Sequence, residues 1–392
     1  MVGGNNHSPK REWLTEIGSL PDAVLFDVLV RLEAQEIYDS ARLVCRKWYH
    51  MTHTHTFIYA HLERSTYGLL FQSKYGSDSE SESESDSDSD SVFMTVGESG
   101  QVEISKNMYN IRCPVQTSCN GLLLELEFQS GSKYNLYVSN PVTGQNCDLP
   151  SFVDWMLEFE RESNINLYEI VGIAYAEASM EYKAVLLLSP GGGEKRICCI
   201  LTIGVDNSWR TIGSECESLA TSKVFTSAPL ISEGFVHWYD TTSNEVLTLN
   251  VETEIITETS GPTPEGNQRN IYLSTGRYLS LLRTCGQFCW EVWEMKPKID
   301  YQWRKVWDIS LEAHNCSTFE RVGFNQYYYL IPIGWLKYLE VLVFFSPHNP
   351  VGSQIFVYNL LTHEILTVEL PDLRCNYKIV VHKNSLVRLD GC

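Results

Sequence analysis

The segment Ser189-Pro190-Gly191-Gly192-Gly193-Glu194-Lys195 places three glycines before a lysine, the residue types that cradle and neutralise a phosphate. A phosphate-binding loop needs a different glycine spacing and a Ser or Thr directly after the lysine, so this segment reads as a turn between strands. His50, His53 and His55 crowd the end of a helical stretch. Threonines sit between them and no carboxylate accompanies them, so they read as a polar helix end rather than a metal site. Twelve cysteines are scattered without a C-x-x-C pair. Cys198 and Cys199 are adjacent and Cys285 and Cys289 four apart, but a zinc site needs two spaced pairs, so reduced and mostly buried thiols are expected. Neither G-x-S-x-G nor H-E-x-x-H occurs. The residues therefore point to a non-catalytic chain with no cofactor and no metal, whose function lies in binding.

Composition narrows the partner. The 392 residues carry a formal charge of -19, and 43% are hydrophobic, enough for a substantial core in about two domains. Seven of the acids lie in one run, Asp78 to Asp90, and the remainder is still acidic. Such a balance argues against a nucleic-acid backbone or an anionic membrane as the main partner, and favours a neutral or basic protein. Met1 to Glu12 is polar, without the apolar core of a secretory signal, and no stretch reaches the length of a membrane span. A cytoplasmic or nuclear address is expected, and the sequon Asn315-Cys316-Ser317 reads as chance.

The elements that position these residues fall into two kinds. Residues 20–62 carry helical periodicity. Pro21 and Asp22 suit a first helical turn, Val24, Leu25, Val28, Leu29 and Leu32 form one apolar stripe, and Ile37, Ala41, Val44, Cys45 and Trp48 form a second. So small a module cannot bury both stripes against each other, so a partner should cover part of them. The expected organisation is a flexible N-terminus over 1–13, a helical module over 14–64, a linker over 65–110 and a β domain over 111–392. Within the linker, 77–91 alternates serine with Asp or Glu; no side chain there can join a core, and the serines have the acid three positions on that an acidophilic kinase prefers.

From residue 111 the pattern becomes short β-rich runs broken by Gly, Pro, Asn and Asp. Two units recur. One is a strand, a polar turn with Thr and a further apolar run, seen in 137–144, 247–254 and 356–362; the other is Ser208-Trp209-Arg210 and Gln302-Trp303-Arg304. Repeats at blade length favour a propeller; about 45 residues per blade favours six blades, with the number left open. Trp209, Trp238, Trp293 and Trp303 hold repeat positions and read as blade core. Trp155, Trp335 and Tyr327-Tyr328-Tyr329 fall outside the repeats; Trp155 and Trp335 are the candidates for target binding, with core the expected role of the tyrosines.

The pattern Leu20-Pro21-x-x-x-Leu25-x-x-x-Leu29-x-x-Leu32 followed by Arg42-Leu43-Val44-Cys45-Arg46-Lys47-Trp48 resembles an F-box. Downstream, Ser118-Cys119-Asn120-Gly121-Leu122-Leu123, Asn140-Pro141-x-Thr143, Gly172-Ile173-Ala174-Tyr175, Gly234-Phe235-Val236-His237-Trp238 and Val292-Trp293-Glu294-Met295-Lys296 resemble the kelch-like F-box-associated domain of plant F-box proteins. Glu33, where that family has proline after the leucine, and Ile37-Tyr38-Asp39-Ser40 depart from the pattern. The resemblance implies a small all-α module ahead of an all-β propeller-like domain. It implies a substrate-recognition subunit of an SCF-type cullin-RING ubiquitin ligase, docking a Skp-type adaptor through Leu20, Pro21, Leu25, Leu29, Leu32, Val44, Cys45 and Trp48 and a target protein through the β domain. A ligase-independent interaction scaffold and a propeller enzyme are the alternatives; the first would lack adaptor binding, and the second would need clustered acids or a copper-binding set in the central channel.

Overall fold

The computed structural model describes residues 20–73, 91–97, 100–106, 111–129, 133–152, 171–188, 196–213, 228–240, 244–266, 268–286, 288–311, 330–346, 354–368 and 377–389. Among the described residues four helices come first: α1 (Asp22–Leu29), α2 (Ala34–Asp39), α3 (Arg46–Thr52) and α4 (His55–Arg64), with a 3-10 turn at Ala41–Leu43 between α2 and α3. Their ends follow the local chemistry. Pro21 stands at the N-cap of α1 with Asp22 in its first turn, Glu33 and Glu36 form a capping box on α2, and the Thr54 hydroxyl accepts from Phe57 N at 3.2 Å on α4. Leu25, Leu29, Ala34, Ile37, Phe57 and Leu62 are buried between the helices. Phe26 packs edge-on against Phe57 at 5.2 Å, and buried His61 spends its Nε2 on the Leu32 carbonyl at 2.9 Å.

The rest is six four-stranded antiparallel sheets. Blade 1 is β1 (Gly68–Ser73), β2 (Ser91–Val96) and β3 (Val102–Lys106), completed on the β1 side by the last strand, β24 (Tyr377–His382). Blade 2 is β4 (Val115–Cys119), β5 (Leu122–Gln129), β6 (Lys133–Asn140) and β7 (Gln145–Asp148); blade 3 is β8 (Val171–Ala176), β9 (Glu181–Leu188), β10 (Ile197–Thr202) and β11 (Arg210–Ile212). Blade 4 is β12 (Leu230–Ser232), β13 (Phe235–Asp240), β14 (Glu245–Asn250) and β15 (Ile255–Ser260). Blade 5 is β16 (Asn270–Ser274), β17 (Leu279–Gly286), β18 (Cys289–Met295) and β19 (Arg304–Ser310), and blade 6 is β20 (Ile331–Lys337), β21 (Val341–Ser346), β22 (Gln354–Asn359) and β23 (Ile365–Val368). The strands β24, β4, β8, β12, β16 and β20 neighbour one another in a ring, so they line the axis. Full closure removes exposed inner edges, and pairing the two ends of the chain in blade 1 holds the ring shut.

The expected boundary at residue 111 is thereby corrected. Residues 68–106 supply three strands of blade 1, where a linker was expected. The Ser/acid run is an insertion between β1 and β2; residues 77–90 of it lie outside the described residues, and Ser91 belongs to β2, buried opposite Gln72. Residues 1–13 also lie outside them. The expectation of reduced cysteines holds for seven free thiols, among them buried Cys113, Cys119, Cys198 and Cys199, but Cys147 is disulfide-bonded.

The recurring turn has a physical cause. Asn140, Asn250 and Asn359 each end the third strand of a blade and turn a side-chain oxygen back onto two amides: Val142 N at 2.9 Å and Thr143 N at 3.4 Å, Glu252 N at 2.9 Å and Thr253 N at 3.3 Å, Leu361 N at 2.9 Å and Thr362 N at 3.0 Å. Such Asx turns fold the backbone without a partner strand. In each, the residue four after the asparagine takes positive φ: Gly144, Glu254 and His363. The tryptophan of the second unit precedes the outer strand; Trp209 is buried with its indole N–H donating to Pro150 O at 2.7 Å.

Candidate functional site

The helical module presents two faces with different fates. Its inner face shares one continuous core with blades 2 and 3 and with the C-terminal segment Leu386, Val387 and Leu389. Polar contacts fix the join. Tyr38 donates its hydroxyl to Thr143 O at 2.7 Å, the Tyr59 and Tyr175 hydroxyls meet at 2.7 Å, and Lys383 Nζ donates to Leu62 O at 3.2 Å. The C-terminal segment is held in turn: Asn140 donates to Ser385 O at 3.1 Å and Val387 O at 2.7 Å, and Ser385 donates to Asn120 O at 2.7 Å. This explains Asn120-Gly121. Both have positive φ, and a Cβ at Gly121 would fall 2.1 Å from the Ser385 hydroxyl, so only glycine lets the segment approach.

The outer face keeps its apolar side chains in solvent: Val24 is 44% exposed, Val28 49%, Leu43 67% and Val44 51%, with Pro21, Cys45 and Tyr49 also exposed. Lys47 joins its two parts, its ammonium 2.7 Å from Asp22 and 3.0 Å from Leu20 O, so the start of α1 adjoins the 43–47 segment. Four branched apolar side chains at this exposure on so small a module form an unspent patch. Of the residues the sequence nominates for the adaptor, Pro21, Val44 and Cys45 lie on this face. Leu25 and Leu29 are sealed in the module core at 1% and 0% exposure, and Leu20, Leu32 and Trp48 are half-buried, Leu32 and Trp48 against that core. Val24, Val28 and Leu43 take the places of the two buried leucines. The propeller covers the inner part of the two stripes.

A second feature lies on the axis, a cavity of about 1070 Å³ at the carboxyl ends of the inner strands, part of whose wall is α4 through Tyr59, Leu62 and Glu63. Arg277 and Lys298 sit on its wall in ion pairs: Arg277 with Glu233 at 3.5 Å and Glu63 at 3.8 Å, Lys298 with Glu177 at 2.6 Å and Glu233 at 3.4 Å. Burial pushes the Cys119 thiol up to about 12, so it is no nucleophile at neutral pH.

The candidate target-binding residues fare poorly. Trp335 is buried at 2% in blade 6, its indole N–H donating to the Ser280 hydroxyl at 3.3 Å. It fell outside the repeat because β20 is bulged at Pro332/Gly334 and Trp335/Lys337, which breaks the alternation. Trp155 and Tyr327 to Tyr329 lie outside the described residues. Trp209 and Trp238 are blade core, while Trp293 and Trp303 are only partly buried. Trp307, which the sequence reading passed over, is 46% exposed on outer strand β19. Among the described residues, no group of three His, Cys, Asp or Glu could hold a metal ion. His53 donates its Nδ1–H to the Tyr49 carbonyl at 2.7 Å and stacks on the Tyr49 ring at 3.8 Å, while His55 stacks on Tyr59.

Residues 17–65 match the family model described as F-box-like. An F-box protein of Arabidopsis thaliana is 23% identical over 311 residues, covering 75% of this chain and 79% of the relative. Among solved structures, a chain of the nidogen/laminin complex is matched at 9% identity over 81% of this chain and 99% of that one, with a TM-score of 0.42. The SapL1 lectin is matched at 11% identity over 73% of this chain and 90% of its own, with a TM-score of 0.38. Residues 17–65 thus form an F-box-like helical module, joined to a six-bladed β-propeller in a chain similar to a plant F-box protein.

Proposed function

We propose that this chain is a substrate-recognition subunit of an SCF-type cullin-RING ubiquitin ligase, acting in the cytoplasm or the nucleus. The observation that carries the reading is the exposed apolar face of Val24, Val28, Leu43 and Val44 on an F-box-like module whose opposite face is already bound to the propeller. A Skp-type adaptor covers that face and links the chain to cullin and RING subunits. Each valine or leucine fully buried there contributes roughly 1.5 to 3 kcal/mol in gross terms, ample for a small specific interface after the costs of association. Pro21 and Cys45 extend the face, and Trp48 supports it from beneath.

The propeller presents the target protein through loops at its faces, as rigid scaffolds with variable connections do. Ubiquitin transfer is then the work of the other subunits, and the chain contributes position. Because module and propeller share one core, the distance from adaptor to target is set by the fold rather than by a flexible linker. The test is co-purification of the full chain with a Skp-type adaptor. A stable stoichiometric complex is expected; a chain that stays free at micromolar concentrations of both would leave it a ligase-independent scaffold.

A further inference from the structure

The axial cavity holds a buried ammonium, Lys383, on which the Glu63 and Glu233 carboxylates act through space but with which neither forms a direct ion pair. Lys383 lines it at 6% exposure, directly after the closing strand β24. Its ammonium reaches one neutral acceptor, Leu62 O at 3.2 Å, and lies over the Tyr67 ring at 4.6 Å. Among the described residues no ion pair joins it to a carboxylate, whereas the wall's other cations, Arg277 and Lys298, are each paired twice. An ammonium carries three donors, and a buried charge is costly unless it is paired. Next to it, buried His382 spends Nδ1 on the Ser118 hydroxyl at 2.8 Å and leaves Nε2 without a hydrogen-bond partner.

We propose that the cavity binds an organic carboxylate carried on a flat apolar body, the carboxylate meeting the Lys383 ammonium. Burial holds the Lys383 pKa below its ordinary value, and a bound carboxylate would favour the charged form again. The cavity's size is that of a site for a small organic molecule. Its walls offer the rings of Tyr67, Tyr239 and Tyr272 and the side chains of Ile231 and Val381 to an apolar body. Glu63, Glu177 and Glu233 outnumber Arg277 and Lys298 by one charge, but these exposed pairs act weakly through solvent, whereas a charge meeting Lys383 acts in a low-dielectric interior. The site does not depend on the adaptor reading: Lys383 and the cavity are on the inner side of the module, away from Val24 and Val44.

The experiment is calorimetric titration of the full chain with 4-hydroxyphenylacetate, with 4-hydroxyphenylacetamide as neutral isostere and with the capped peptide acetyl-Gly-Asp-Gly-amide. The acid should bind at least about tenfold more tightly than the amide. Lys383→Met should bring the acid down to the level of the amide, and Ala228→Phe, which puts a ring on the cavity wall while keeping the lysine, should weaken both. Lys383-dependent binding of the peptide instead of the free acid would support the carboxylate site and assign its ligand to a target side chain. Equal binding of acid and amide, or no binding of acid or peptide at millimolar concentration, would overturn the proposal. So would acid binding that Ala228→Phe leaves unchanged, a result that stands even if Lys383→Met fails to fold.

Discussion

Leu25 and Leu29 on one side of α1, and Val24 and Val28 on the other, are residues of nearly the same chemistry one position apart. The first pair is sealed at 1% and 0% exposure in a core that runs into the propeller; the second is about half exposed. The difference teaches that a helix can be apolar around more of its girth than its own fold needs, and the surplus marks a surface kept for something else. The same contrast runs through the second stripe, where Ile37 and Ala41 are buried and Leu43 and Val44 are not.

The sharpest way to break this comparison is to truncate one residue from each side. Leu29→Ala should cost about 2 to 5 kcal/mol in chemical denaturation, because it removes buried methyl groups and leaves a cavity beside Phe57 and Leu25. Val28→Ser, one position away, should change stability by no more than about 0.5 kcal/mol. Equal costs would mean that the exposed face is packed in solution.

Buried and exposed histidines extend the contrast to pH. His237 sits fully buried between the Ser232 and Thr248 hydroxyls, at 2.7 and 2.9 Å, and burial pushes its pKa down to about 3; His382 is pushed down to about 4, again chiefly by burial. Both native values lie below the unfolded value of about 6.5, so between them the unfolded chain binds more protons. Their contribution is fully present above about pH 6.5 and is lost as pH falls towards 4 and 3, with a slope of at most about 1.4 kcal/mol per unit for each. Glu125, whose pKa burial raises, acts in the opposite sense. His237→Gln should flatten the acid limb of stability against pH measured by thermal unfolding; an unchanged acid limb would contradict the buried neutral ring.

Much of this was legible in the sequence, and the failures have causes. A propeller followed from strand spacing, with six blades only favoured from length, and the Asn-x-x-Thr turns stood out because Asx chemistry is local. Blade 1 was not legible: β1 and β2 are split by the Ser/acid run, and the strand completing the sheet comes from the other end of the chain. Periodicity found the two apolar stripes but not which edge of each faces the propeller, so two buried leucines were nominated and Val24, Val28 and Leu43 were passed over. Trp335 was misread through the bulges in β20, which hide a core position behind broken alternation.

The smallest effect concerns the insertion. Deleting residues 77–90 while keeping Ser91, which pairs in β2, should shift the melting temperature by less than about 2 °C, because the removed side chains cannot join an apolar core. A larger fall would show that the run docks on the folded chain.

The central claim is that the outer face of the module binds an adaptor while the inner face binds the propeller, and one measurement addresses it directly. The affinity of a purified Skp-type adaptor for the full chain should be compared with that for the double variant Leu43→Asp, Val44→Asp, alongside the melting temperature of each. Two charges placed in an apolar interface should weaken binding by at least about thirtyfold, roughly 2 kcal/mol, with the melting temperature unchanged because both positions are exposed. Adaptor binding within about threefold of the original chain, with the fold intact, would contradict the assignment of this face.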